Sequence, residues 1–259
     1  MHGKMHQKIS SALMLLAGIA PLASGADLTL VKKTLLQGKF NQIRIRGDNF
    51  YLLPKIGNHV VEVDSDFQVK SDFVLPGPAF RNLKDFGPSN ESFFISDGDS
   101  VYRYFPRFGR LETFYRSRNI QAVAANEEGE LLVATDLGRR VVLLDNRGRE
   151  KLTLTRYRPK CLAHANRGYW LGEANRLVRL DEFGNEKKTN SISGLRRIGA
   201  DGDLVAILHK NGLKLSVVQG DRVAQFELKE RALDLAVKGM HVFCLGASGD
   251  AVFEYRIDL

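Results

Sequence analysis

Histidine and cysteine are the residue types that most often carry chemistry, and their spacing here argues against a reactive centre. Four histidines follow residue 26, namely His59, His164, His209 and His241, and no two are close in the sequence. A zinc site needs clustered ligands, such as HExxH or paired Cys/His spacings, and none is present. Gly-x-Ser-x-Gly, Walker and GxGxxG motifs are absent as well. We therefore predict no catalytic residue, metal or cofactor, although His164 can line a channel if its strand is innermost.

Arginine-rich clusters are the second chemical feature. The chain carries a formal net charge of +8. The densest basic stretches are Arg156-Tyr157-Arg158-Pro159-Lys160 and Leu195-Arg196-Arg197. Guanidinium groups bind carboxylates and phosphates in a fixed, often bidentate geometry. Whether these clusters form one surface depends on the elements that carry them.

The first 26 residues differ from the rest of the chain. Lys4 and Lys8 precede an apolar run from Ala12 to Leu22, and small residues follow it. This order is typical of a secretory signal peptide, here cleaved near Gly25 or Ala26. We expect residues 27–259 to be one exported domain, periplasmic or secreted, without a transmembrane segment. An uncleaved membrane anchor is the alternative, and the sequence does not indicate the oligomeric state.

A repeat of about 38 residues organises the remainder. An alternating apolar strand, a turn often opened by Asp and containing Gly, and another strand recur six times. The turn-opening positions are 64, 106, 145, 181, 219 and 256. Each unit predicts four short strands, which we call a, b, c and d. Repeated four-stranded units of this length are typical of β-propeller blades, so we predict an all-β, six-bladed β-propeller.

The last unit ends at Leu259, after its third strand. The stretch from Leu28 to Leu36 supplies a spare strand, so we predict that it completes the sixth blade beside Ala251–Ile257 and leaves no open ring edge. The two cysteines, Cys161 and Cys244, then lie in the fourth and sixth blades, too far apart for a disulfide. We predict two buried free thiols.

The Asp-x-x-Gly turns after alternating strands resemble those of the six-bladed propellers of the NHL, YWTD and TolB-like group. The resemblance covers residues 28–259 as a blade pattern, without the YWTD tetrapeptide or the NHL tripeptide. It implies recognition of proteins, glycans or nucleic acids, with some hydrolases and lactonases in the group. A lactonase would hold a divalent metal at the channel mouth, where Asp85, Asp234 and Asn119 are the residues that can imitate its ligand set.

The blade assignment places the charges on two faces. The b–c loops and d–a connections share one end of the propeller, the d–a face, and the a–b and c–d loops share the other, the a–b face. Most arginines fall on the d–a face, whereas acidic residues dominate the a–b face. Aromatic residues Phe40, Phe80, Tyr115 and Tyr157 are interleaved with the arginines and are expected to share their interface. We predict these binding residues: Arg116, Arg118, Arg156, Arg158, Lys160, Arg196 and Arg197.

These observations favour an exported, non-enzymatic binding propeller whose basic face recognises an acidic protein or an anionic envelope polymer. Export argues against nucleic acid as the partner. A metal-dependent hydrolase or lactonase at the channel mouth is the alternative, so the question of enzymatic activity stays open at this point. Binding that depends on salt and on the arginines would favour the first hypothesis, and a tightly bound divalent ion would favour the second.

Overall fold

The computed structural model describes residues 25–76, 83–137, 139–165 and 168–259. Nearly all of the predicted signal peptide, residues 1–24, lies outside the described residues, as does Phe80. The described residues form 24 β-strands and one short 3-10 helix, Pro106–Phe108. The strands are, in chain order, β1 (Asp27–Leu35), β2 (Phe40–Arg46), β3 (Asn49–Pro54), β4 (His59–Val63), β5 (Val69–Val74), β6 (Asp85–Pro88), β7 (Phe93–Ser96), β8 (Ser100–Phe105), β9 (Arg110–Arg116), β10 (Ala122–Ala125), β11 (Leu131–Thr135), β12 (Arg140–Leu144), β13 (Glu150–Leu154), β14 (Cys161–Ala165), β15 (Gly168–Gly172), β16 (Arg176–Asp181), β17 (Glu186–Ser191), β18 (Leu195–Asp201), β19 (Leu204–His209), β20 (Lys214–Gln219), β21 (Arg222–Glu227), β22 (Ala232–Lys238), β23 (His241–Gly246) and β24 (Ala251–Asp258).

The strands form six antiparallel sheets of four, which confirms the six-bladed β-propeller. Five sheets contain four consecutive strands, from β2–β5 in blade 1 to β18–β21 in blade 5. The first strand of each blade packs against the first strands of both neighbouring blades, so β2, β6, β10, β14, β18 and β22 surround a central channel. The d–a connections therefore meet at the end of the channel where these innermost strands begin.

The c–d turns show why Asp opens the repeat. In blade 3, Asp145 Oδ1 accepts hydrogen bonds from the main-chain N–H groups of Arg147 and Arg149, each at 2.9 Å. Asp181 makes the same pair of bonds in blade 4. Burial would raise the pKa of Asp181, but hydrogen bonds from Asn185, Lys187 and the Phe183 N–H outweigh it and lower the pKa to about 2. These acidic residues therefore help to build the turns.

The hydrophobic core is divided among the blade interfaces. Each of six clusters of buried side chains joins two adjacent blades, and blade 6 is joined to blade 1 by the cluster that contains Phe50, Phe67 and Phe243. Phe50 packs edge-on against Phe243, with ring centroids 4.7 Å apart. The outermost strands are mostly exposed or half-buried. Stability therefore depends on every blade having two neighbours, as in a closed ring.

Strand β1 closes the ring, as the sequence predicts. It pairs antiparallel with β24 from Asp27 opposite Asp258 to Leu35 opposite Ala251. Next to this pairing, the Phe40 N–H donates to Gly249 O at 2.9 Å and joins blade 6 to the start of blade 1. Gly249 has a φ of +82°, and a Cβ there would overlap the Phe40 carbonyl, so only glycine fits.

The remaining sequence predictions on the scaffold concern the cysteines and membrane spans. Cys161 in β14 and Cys244 in β23 are buried and free, which confirms the predicted thiols. Burial raises the pKa of each thiol to about 12, so both are protonated at neutral pH and poor nucleophiles. Within the described ranges, no helix is long and apolar enough to cross a membrane.

Candidate functional site

Five of the predicted binding residues form an exposed group on the d–a face, which we call the basic surface: Arg116, Arg118, Arg156, Arg158 and Lys160. Arg116 ends β9, and Arg118 lies in the connection to β10. The other three lie in the connection from β13 to β14. The two connections flank blade 3, so the topology places the group on one side of the d–a face.

The connection between β13 and β14 holds its arginines in defined positions. Arg158 Nη1 donates hydrogen bonds to the main-chain oxygens of Thr155, Tyr157 and Arg139 at 2.8, 2.9 and 3.2 Å. The Arg156 guanidinium lies 4.8 Å from the centre of the Tyr157 ring, a cation–π distance. These contacts leave further N–H donors of both guanidinium groups free to bind a ligand.

Arg116 and Arg118 border a shallow depression of about 520 Å³. Asp99 also borders it, and its main-chain oxygen accepts a hydrogen bond from the Ser117 N–H at 3.1 Å. The Arg118 main-chain oxygen accepts bonds from Thr135 Oγ1 and from the Asp136 N–H. The backbone is thus fixed, while both arginine side chains remain exposed.

The members of the basic surface lack acidic partners in the described part of the chain. Among the residues that the structure describes, no acidic side chain forms an ion pair with any of its five members. The buried acid on this face, Glu173, already binds Arg176 and the Arg158 main-chain N–H. On the a–b face, ion pairs do join acids to bases: Lys32–Asp66, Lys238–Asp48, Arg149–Asp145, Lys187–Asp181 and Lys188–Asp221.

The structure places Arg196 and Arg197 differently from the other five. Both lie inside β18, where the register with β19 shifts between Leu195 and Arg197. Arg197 Nε is 3.6 Å from Asp234 Oδ1, which belongs to the innermost strand of blade 6. Arg196 is half-buried, and burial, followed by the charges of Arg197 and Arg231, lowers its pKa. Arg197 therefore belongs to the channel wall rather than to the basic surface.

The prediction that aromatic residues share the basic interface is wrong for two of them. Tyr157 is 1% exposed and Phe40 is 6% exposed, so both are core residues. Tyr115 is half-buried, and its hydroxyl donates to Glu150 Oε1 at 3.2 Å. Tyr157 supports Arg156 from below instead of contacting a partner.

An ion-pair network fills the channel centre. Arg44, in the innermost strand of blade 1, donates from Nη2 to Asp85 Oδ1 and from Nη1 to Asp234 Oδ2, both at 2.7 Å. The carboxylates also accept main-chain N–H groups from neighbouring blades, Asp234 from Ile43 at 3.0 Å and Asp85 from Val123 at 2.9 Å. Burial would lower the pKa of Arg44, but the negative charges of Asp234 and then of Asp85 outweigh this effect and raise the pKa. The network connects blades 6, 1, 2 and 3.

This network bears on the alternative metal site. Asp85 and Asp234 are both bound to Arg44, while Asn119 lies in the β9–β10 connection with its N–H 3.4 Å from Asp99 Oδ1. The three residues therefore do not form one ligand set. In the described part of the chain, no group of three or more His, Cys, Asp or Glu side chains is arranged to hold a metal ion.

Arg44 is the site residue that sequence reasoning missed. Its signal was a cation between two apolar residues, Ile43 and Ile45, in a strand that the repeat made innermost. His164, by contrast, does line the channel cavity as predicted. Burial lowers its pKa, so it is a neutral imidazole at pH 7.

Comparison with known proteins supports the fold and no family. No family model matches the chain, and no curated protein matches its sequence. Among solved structures, the chain is similar to a streptogramin B lyase, with 12% identity, a TM-score of 0.62, and coverage of 90% of this chain and 88% of that one. The propeller domain of Cps50 (Swd1) from Myceliophteria thermophila has 12% identity and a TM-score of 0.64, with coverage of 89% of this chain and 99% of that one. BamB from Moraxella catarrhalis has 10% identity and a TM-score of 0.57, with coverage of 89% of this chain and 98% of that one. At these identities the likeness shows a generic β-propeller and nothing about activity.

We predict that Arg44→Met destabilises the protein by about 3 kcal/mol or more, because it leaves Asp85 and Asp234 buried without their cation. The triple variant Arg44→Met/Asp85→Asn/Asp234→Asn should recover part of this loss, since the two buried carboxylates are then neutral, although Arg197 also loses its ion pair with Asp234. Urea denaturation of both variants measures the difference.

Lys32→Ala is the control, because it breaks the exposed Lys32–Asp66 pair and should leave the urea midpoint unchanged within error. An Arg44→Met variant as stable as the parent protein would show that the network is not structural.

Proposed function

We propose that this protein is an exported, non-enzymatic binding propeller that recognises an acidic protein segment through its basic surface. The observation that carries the proposal is the exposure of Arg116, Arg118, Arg156 and Arg158 without an ion-pair partner in the described residues. Four guanidinium groups on one side of one face attract and orient carboxylates. The other face carries the acidic turns and repels the same partner.

Preorganisation strengthens this interpretation. Arg158 is held by three main-chain oxygens, and Arg156 lies over a buried ring. A side chain that is already ordered loses less conformational entropy when a partner binds. The basic surface is therefore better suited to binding than flexible lysines on long loops would be.

An acidic protein segment fits this surface better than a long anionic polymer does. Exposed lysines and arginines also occur in other connections of the d–a face, such as Lys39, Lys210 and Arg231, but the arginines of the basic surface are concentrated in two connections around blade 3. A bounded patch matches a short run of carboxylates, whereas a polymer is held by an extended track of charge. A solved structure of similar fold, BBS1N in complex with ARL6DN, has 11% identity to this chain and a TM-score of 0.57, and that protein binds another protein.

Export is part of the proposal and rests on the N-terminal sequence pattern. Strand β1 begins at Asp27, directly after the expected cleavage point at Gly25 or Ala26. Cleavage there would leave all 24 strands in place. The periplasm or the exterior of the cell is accordingly the proposed location.

We predict that Arg116→Ala/Arg118→Ala/Arg156→Ala/Arg158→Ala weakens binding of a fluorescent poly-glutamate peptide, because it removes the charges that attract carboxylates. The expected loss is about tenfold or more, which corresponds to about 1.4 kcal/mol or more. Binding by the parent protein should weaken as sodium chloride is raised, because exposed charges are screened. Fluorescence anisotropy at several salt concentrations measures both effects.

A matched control removes four exposed arginines from the a–b face: Arg107, Arg110, Arg147 and Arg149. This variant should bind poly-glutamate like the parent protein. Equal losses in the two variants would mean that only net charge matters, and tighter binding of polyphosphate than of poly-glutamate would point to an anionic polymer as the partner. Either result contradicts the proposal.

We also predict that the protein recovered from the exporting compartment begins within a residue or two of Ala26. Intact-mass measurement of the purified protein and amino-terminal sequencing establish the first residue. Recovery of the full chain from the membrane fraction would instead indicate an uncleaved anchor.

A further inference from the structure

A cleft on the a–b face has a composition opposite to that of the basic surface. It lies over blades 3, 4 and 5 and encloses about 760 Å³. It adjoins the channel cavity of about 330 Å³, because Glu127, His164 and Asp201 line both.

Carboxylates surround this cleft. Glu127, Glu128, Glu182 and Asp201 line it, and in the described part of the chain none of the four forms an ion pair. A fifth carboxylate, on Glu130, is neutralised by Lys151. The cleft is thus a region of uncompensated negative charge.

Two cations stand on the far side of the channel mouth. Lys238 pairs with Asp48 at 2.7 Å. Arg46 is half-buried, and burial lowers its pKa against the opposing pull of Glu127 and Glu128. Since Arg46 and Lys238 line the channel cavity but not the cleft, the carboxylates of the cleft keep room for a further cation.

His164 and Tyr169 line the cleft, and neither side chain has a hydrogen-bond partner among the described residues. His164 in β14 is directly opposite Tyr169 in β15, and their rings meet edge to face with centroids 5.6 Å apart. Tyr169 is 3% exposed, and its side chain lines the cleft. Burial, and then the charges of Glu130, Glu128 and Glu182, raise the pKa of Tyr169, so its hydroxyl stays protonated.

This combination selects one chemical class of ligand. Carboxylates repel anions and attract cations. The Tyr169 hydroxyl adds an unpaired acceptor for an N–H donor. Because His164 is neutral at pH 7, it adds no repulsion. The arrangement suits an ammonium group, which carries three donors and spreads its contacts over several acceptors.

We propose that this cleft binds a primary ammonium group, carried either by a free diamine or by a lysine side chain of a basic peptide. The site is separate from the basic surface because it lies on the opposite face of the propeller. Glu128 and Glu182 supply the counter-charges, and Tyr169 supplies the hydrogen bond at the floor.

The test is a calorimetric titration at constant ionic strength with two probes, cadaverine and a lysine-rich peptide. Wild-type protein should bind at least one of them. Glu128→Gln/Glu182→Gln should weaken that binding by about tenfold or more. Tyr169→Phe keeps the ring and removes only the hydroxyl, so it should weaken binding several-fold while the fold, checked by circular dichroism, is retained.

Two comparisons make the result specific. Glu91→Gln/Asp66→Asn removes two carboxylates from the same face outside the cleft and should bind like wild type. Saturation by cadaverine would indicate a free amine as the source, and saturation by the peptide alone would indicate a lysine side chain. Absence of binding by both probes, or equal binding by the Glu128→Gln/Glu182→Gln variant, would overturn the proposal.

The fourfold arginine variant of the basic surface should leave binding of the amine probes unchanged. The proposal for the cleft and the proposal for the basic surface are therefore tested independently.

Discussion

Antiparallel pairing of β1 with β24 is the interaction on which the whole structure depends. Each blade buries its apolar faces only against its two neighbours, so the six core clusters exist together only when the ring is closed. β1 and β24 are at least 216 residues apart in the sequence, which is the separation of the paired residues Leu35 and Ala251. A long-range pairing of this kind carries a large loop-closure cost, which the blade 6–blade 1 cluster and the Phe40–Gly249 hydrogen bond offset.

Ring closure also determines which face of the propeller each charged connection reaches. All six innermost strands run in the same direction, so connections of one type reach one face and connections of the other type reach the opposite face. In the channel between them, Arg44 forms ion pairs with Asp85 and Asp234. Among the described residues, Arg116, Arg118, Arg156 and Arg158 form no ion pair on one face, and neither do Glu127, Glu128, Glu182 and Asp201 on the other. One rigid ring therefore carries groups of opposite charge at its two ends.

Much of this arrangement could be predicted because it rests on local, repeated patterns. Period-2 alternation and the Asp-opened turns define blades, and the exposure of Arg116, Arg118, Arg156 and Arg158 follows from their place in connections. Three features could not be predicted. The β-bulge at Arg196 turns Arg197 into the channel, and bulges leave no clear sequence signal. Tyr157 is buried although it lies in a connection, because it packs beneath Arg156. Arg44 meets a carboxylate 190 residues away, and only the closed ring brings the two together.

Cross-linking across the closing strands tests this account most directly. Thr29 lies opposite Arg256, so cysteines at these two positions should oxidise to a disulfide, with the loss of two hydrogens by mass spectrometry and a higher urea midpoint. Cysteines at Thr29 and Glu254 are two residues out of register and should stay reduced under the same conditions. Oxidation of the shifted pair, or of neither pair, would contradict the closed ring and with it the assignment of charges to two faces.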